Sequence, residues 1–249
     1  MNESKVETRP SRRGFLKHSA GVAALPLLAA AAAGEEKPQT ASTKPTIGIA
    51  TFGFGDFTNA ALAEELADAG ILTVQLFLSQ SDSNYWRYNG RSDLAGLSDE
   101  RCKEIAAAYT SRGITIHSMG VYTNLIHPDP NEWKANLDYF ERMMEVGRAM
   151  GVSTFITEAG HYHPEEGGSS VAYHFLDDVW TRMITVGKEL AKRADAHEAR
   201  VLCEPYFGGF LASAKRTRLF LEEIGSDRVR ALLDPANLLE VNDLEEMFD

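Results

Sequence analysis

Two acidic residues close short apolar segments late in the chain: Glu204 in RVLCEPYFGG and Asp234 in RALLDPAN. Burying a carboxylate costs several kcal/mol unless a partner compensates it. Strand alternation puts Leu202 and Glu204 on one face, Val201 and Cys203 on the other, and gives Leu232 and Asp234 a common face. On neighbouring strands, about 4.8 Å apart, the two acids would point into one mouth. Carboxylates that close repel each other and raise one pKa sharply. A divalent cation removes the conflict. Oxygen ligands suit Mg2+ or Mn2+, and added imidazole shifts the preference toward Mn2+, Co2+ or Zn2+. The structural alternatives are an ion pair of Glu204 with an arginine such as Arg200, and a turn-forming aspartate in DPAN.

Other polar residues stand where they could meet a ligand. Glu158 ends a fourth apolar segment, followed by His161 and His163 in EAGHYHPEEGG, a loop placed over the mouth as a lid or substrate contact. Tyr85, Trp86 and Tyr88 suit stacking on a sugar ring, with Trp86 as a cap on the open end of the core the alternative. His117, inside ITIHSMG, is expected buried and bonded to a neighbour. HPDPNEW is read as a turn in which Asn131 caps a helix starting at Glu132. ELAKRADAHEAR is read as a solvated helix face. Cys102 and Cys203 fit no metal spacing and no disulfide framework, and are read as buried thiols.

These residues need a scaffold, and one unit recurs: an amphipathic helix, a glycine, a short β-branched strand. LAEELADAG-ILTVQLF, RCKEIAAAYTSRG-ITIHSMG and FERMMEVGRAMG-VSTFITEAG are the three clear copies. Gly70, Gly113 and Gly151 sit where a helix end needs a left-handed residue. Two more passages, ELAKRADAHEA-RVLCEP and FLEEIGSD-RVRALLD, are read as lacking that glycine. With the opening TIGIAT, six strands alternate with helices, which implies a parallel sheet. TFGFGDF after the first strand does not match the G-x-G-x-x-G of a doubly wound nucleotide fold. Acids at several strand ends favour a (β/α)8 TIM barrel, whose active site lies there. A barrel body is typically about 250 residues. Here it is expected to be truncated after about six β/α units, as a fragment or a shortened gene product.

Residues 1–34 resemble a twin-arginine export signal: Arg12 and Arg13, then Phe15, Leu16 and Lys17, then an alanine-rich apolar run. The run from Ala20 to Ala33 is shorter than the roughly 20 residues that span a bilayer. The expected address is the periplasm or another extracytoplasmic space, with no stable membrane insertion after signal cleavage. Residues 35–45 are read as a polar linker, and 46–249 are expected to form an incomplete barrel. The chain carries −11 overall; five Lys or Arg against two Glu in the first thirty-four residues leave −14 for the rest. Such a body repels a phosphate backbone, so no nucleic-acid partner is expected.

The body resembles the sugar phosphate isomerase/epimerase group, the xylose-isomerase-like barrels. The resemblance rests on ELADAGILTVQLF, GVYTNLIHPDP, RAMGVSTFITEAG, VLCEP and LLDPANLL, and covers nearly all of residues 46–240. It implies a metal glutamate at the fifth strand end and a metal aspartate at the sixth, hence Glu204 and Asp234. The group's remaining ligands, a histidine on strand seven and a glutamate on strand eight, have no counterpart before residue 249. Its epimerases often carry a histidine three residues after the aspartate; Asn237 stands there, and is assigned with Glu158, His161 and Trp86 to the substrate. The implied reaction is proton transfer beside a carbonyl through an enediolate, with Glu204 both ligand and base, on a small carbohydrate. This chain alone is expected to be inactive. An inosose-type dehydratase on the same barrel and a non-catalytic exported carbohydrate-binding protein are the alternatives. An open barrel edge also leaves room for self-association.

Overall fold

A computed structural model describes residues 45–162 and 171–248. The readings made for residues 1–44, the proposed export signal and nearly all of the linker, and for His163 lie outside the described residues. Six strands form one parallel sheet: β1 (Ile49–Ala50), β2 (Thr73–Leu76), β3 (Thr115–Gly120), β4 (Thr154–Thr157), β5 (Arg200–Cys203) and β6 (Val229–Ala231). Their order in the sheet is their order in the chain. A doubly wound fold reverses direction at a switch point; this one does not.

The helices α1 (Asn59–Asp68), α2 (Asp99–Thr110), α3 (Pro130–Ala149), α4 (Asp177–Ala196) and α5 (Ala214–Ile224) fill the connections, and a short α6 (Leu244–Phe248) follows β6. From α1 to α5 each helix packs against the next. Side chains cap four of them: Thr58, Ser98, Asp129 and Ser213 each accept a hydrogen bond from a backbone N–H of the first turn. α4 has no such cap, and Asp177 and Asp178 in its first turn oppose the helix dipole instead. The cap of α3 is Asp129, not Asn131. Pro130, with no N–H to give, takes the first helical position, so the helix begins two residues before Glu132.

Four helices end in the same way. The N–H groups of Ile71, Ile114, Val152 and Ala199 reach back to Leu66, Tyr109, Gly147 and Ala194, which forces the residue before each into the left-handed region. Gly70, Gly113 and Gly151 fill that place in three, at φ 73°, 76° and 76°. In the fourth it is Glu198, at φ 53°. Gly225 also ends α5 in the left-handed region, at φ 64°, so the helix before β6 does have its glycine. A Glu198→Gly variant is therefore expected to be more stable, by roughly 0.5–1 kcal/mol. Urea unfolding checks this; a lower midpoint would contradict it.

The sheet separates two apolar layers. Toward the helices, Val74, Leu76, Phe155, Val201, Cys203 and Val229 join the main core, with Tyr109, Phe140 and Phe220 among its fully buried members. On the opposite face a smaller cluster gathers Phe77, Tyr122 and Ile156, flanked by Trp86, Leu202 and Leu232. Cys102 and Cys203 are buried free thiols, and burial pushes Cys203 up to about 12. His117 is exposed rather than buried, its Nδ1 3.3 Å from Ser118 Oγ. Among the described residues no helix is long and apolar enough to cross a membrane.

Candidate functional site

β5 places Glu204. Its N–H donates to the Thr157 carbonyl at 2.8 Å, continuing the β4–β5 ladder by one residue, so its side chain leaves on the face that carries Leu202. Tyr122, two residues beyond β3, donates its hydroxyl to Glu204 Oε2 at 2.6 Å. Asn237 donates from Nδ2 to Oε1 at 3.0 Å. Asn237 sits in a 3-10 turn (Pro235–Asn237) whose cap is Asp234, with Asp234 Oδ1 accepting from Ala236 N–H at 3.0 Å. One short turn therefore supplies both Asp234 and the amide that fixes Glu204.

Glu158 lies one strand over, directly after β4, and its Oε2 accepts from the Tyr88 hydroxyl at 2.8 Å. Burial holds the Glu158 carboxyl above its usual range, with the Tyr88 bond acting against the shift. Burial likewise raises Glu204; the Tyr122 bond opposes this, and the charges of Glu158 and Asp234 add to it. The phenols respond in kind. Tyr122 is pushed up by burial and by its bond to Glu204, Tyr88 by burial and the charge of Glu158. None of the ion pairs among the described residues includes Glu158, Glu204 or Asp234. Arg200 stands at the other end of β5, four residues or roughly 13 Å along the strand, and does not reach Glu204.

Both raised acids have a consequence for stability. In the unfolded chain a glutamate ionises at about 4.3. Its folded value is higher, so the fold favours the protonated acid, and that contribution is complete below the unfolded pKa and lost as pH rises through the folded one. The melting temperature of metal-free protein, minus that of Glu158→Gln, should therefore become more negative between pH 4.5 and 7.5. A difference that stays level or grows more positive would refute the assignment of the shift.

The aromatic residues divide between the two layers. Trp86, Tyr88 and Tyr122 form a wall beside the acids, with ring centroids 6.3–6.4 Å apart. Phe77 stacks on Tyr122 at 5.6 Å and an interplanar angle of 19°. Tyr85 instead packs into the main core. His161 comes to the rim: its ring lies 6.4 Å from Tyr88 and stacks on His174 at 6.3 Å, and Asn124 binds its backbone on both sides. Burial lowers His161, and burial with the neighbouring His161 and Arg216 lowers His174 to about 4.

Glu204, Asp234, Glu158, Asn237, Trp86 and His161 thus all lie at one end of the sheet. Tyr122 had no role assigned from the sequence, although it follows β3 as Glu158 follows β4, and the same strand-end rule points to it. A groove of about 750 Å3 lies along β6 between α5 and α6, lined by residues such as Lys215, Arg218, Glu222, Leu233 and Met247. It holds none of the strand-end acids, which identify the site by their chemistry.

A cation fits the donor set in part. Among the described residues there is no group of three or more His, Cys, Asp and Glu that could hold a metal ion. Mg2+, however, is commonly held by one or two carboxylates, with water and substrate oxygens completing the shell. Glu204 and Asp234, two acids without a cationic partner among the described residues, match that need.

The family model for xylose isomerase-like TIM barrels matches residues 63–248. A search of curated proteins found no match. Among solved structures, D-psicose 3-epimerase with D-tagatose from Clostridium cellulolyticum H10 superposes with a TM-score of 0.59 at 18% identity, covering 79% of this chain and 67% of that one. The 3-keto-D-glucoside 4-epimerase of E. coli gives 0.56 at 15%, covering 76% and 67%. A xylose isomerase-like TIM barrel protein from Mycobacterium smegmatis in complex with magnesium gives 0.55 at 17%, covering 77% and 65%. The chain spans about two thirds of the length of these proteins. At such identities the likeness is one of fold.

Proposed function

Because the chain belongs to the xylose isomerase-like TIM barrel family, we propose that it is a metal-dependent sugar or sugar phosphate isomerase or epimerase that moves a proton beside a carbonyl. The observation that carries this reading is Glu204 fixed between Tyr122 and Asn237, beside two further acids and paired with no cation among the described residues. Glu204 and Asp234 would hold a divalent ion (Mg2+, Mn2+, Co2+ or Zn2+). Such an ion, when bound, supplies positive charge against the negative charge that develops on the substrate carbonyl.

The remaining chemistry belongs to the side chains. Glu204 is the base: burial and like-charged neighbours raise it, and a base is most effective when its pKa approaches the working pH. Tyr122 and Asn237 each hold one of its two oxygens, and the wall of Trp86, Tyr88 and Tyr122 stands on one side of it. A solved epimerase of the same fold with D-tagatose bound supports a small ketose as the ligand. One base suffices to exchange a carbon-bound hydrogen with solvent, whereas inverting that carbon needs a second group on the opposite face.

The test is incorporation of solvent deuterium next to the carbonyl of D-fructose, followed by NMR with Mn2+ present. Exchange above the protein-free rate supports the reading. Binding of D-fructose without exchange favours a carbohydrate-binding protein. Loss of a hydroxyl in step with exchange favours the dehydratase. The N-terminal segment adds a second proposal, export by the twin-arginine route to an extracytoplasmic space.

A further inference from the structure

Glu158 is the acid that this scheme leaves unused, and its surroundings give it a purpose. It follows β4 as Glu204 follows β5, so the two side chains leave adjacent strands at the same end of the sheet. Tyr88 engages one of its oxygens, Oε2, at 2.8 Å; among the described residues the other, Oε1, has no hydrogen-bond partner. A carboxylate only accepts hydrogen bonds. That oxygen is open to solvent and can accept from a ligand's donor, which a sugar hydroxyl is and a phosphate dianion is not.

Charge points the same way. Two carboxylates and a divalent cation sum to zero. Glu158 then leaves one negative charge over, half-buried, with no lysine or arginine paired to it among the described residues. Trp86, Tyr88 and Tyr122 add an apolar platform against which the C–H face of a sugar can lie.

We propose that Glu158, held in place by Tyr88, is the specificity determinant of this site: it accepts a hydroxyl of an uncharged polyol and excludes the corresponding phosphate ester. The proposal rests on the reading of Glu204 and Asp234 as a cation site, and it narrows the substrate of that site to unphosphorylated sugars.

The experiment titrates the full Mn2+-loaded chain at pH 7.5 with D-fructose and with D-fructose 1-phosphate by calorimetry. Wild type, Glu158→Gln and Tyr88→Phe are compared. Wild type should bind the free sugar at least tenfold more tightly than the ester. In Glu158→Gln the gap should close to under threefold, as the ester gains and the free sugar loses. Tyr88 is 50% exposed, so Tyr88→Phe is expected to fold whatever becomes of the Glu158 variant, and it should narrow the gap at least twofold by releasing the carboxylate. An ester that binds as tightly as the sugar, or a gap that neither variant changes, overturns the proposal and leaves the cation reading standing. Failure to bind Mn2+ at all brings down both.

Discussion

Glu204→Gln is expected to slow deuterium exchange into D-fructose by about 10²–10⁴-fold, the range by which a positioned acid or base contributes. The substitution is chosen for what it preserves. Glutamine has the same length, and its carbonyl oxygen can still accept from the Tyr122 hydroxyl, which lies 2.6 Å from Glu204 Oε2. The contact with Asn237 changes sign, since two amide groups now face each other where an amide faced a carboxylate. That costs one hydrogen bond at a half-buried place and leaves the apolar layers untouched. What disappears is the ability to take a proton, together with the negative charge that Glu204 would offer a cation. If exchange proceeds at an undiminished rate, Glu204 is not the base, and a role limited to orienting Tyr122 and Asn237 would have to replace it.

Saturating Mn2+ should raise the melting temperature of the wild-type chain by roughly 5–11 °C. An ion present at a hundred times its dissociation constant adds about 2.7 kcal/mol, and a domain of this size gains about 2–4 °C per kcal/mol. The informative partner is Asp234→Asn. Asp234 has a second task, because its Oδ1 caps the 3-10 turn through the Ala236 N–H. An alanine would remove that cap and blur the comparison. Asparagine can keep the cap while losing the charge, so its metal-free melting temperature should stay near that of wild type while the Mn2+ response disappears. A full response in Asp234→Asn, read by thermal denaturation with and without EDTA, would remove Asp234 from the cation site.

The parts of this molecule that were legible from sequence are those with a short period. Alternation by two residues predicts that Leu202 and Glu204 share a face, and the structure sets Leu202 in the inner cluster with Glu204 beyond it. The glycines after α1, α2 and α3 announce helix ends because few other residues tolerate positive φ. Glu198 performs the same task without the signal, and three residues separate Gly225 from β6, which hides it from the helix–glycine–strand pattern. Aperiodic segments gave no such help. Tyr85, Trp86 and Tyr88 lie within four positions of one another in a coil, yet the first packs into the main core while the others face the acids. The bond from Tyr122 to Glu204 spans 82 positions, and no local pattern encodes it.

Gly120, the last residue of β3, ties these observations together. A Cβ placed there would meet the Phe77 ring at 2.7 Å, and Phe77 lies flat on Tyr122, which grips Glu204. A single methyl group would thus be relayed through two rings to the Glu204 oxygen that accepts the Tyr122 hydroxyl. Substitution surveys confined to polar side chains would pass over this position, yet the aim of the Glu204 carboxylate depends on an atom that is not there.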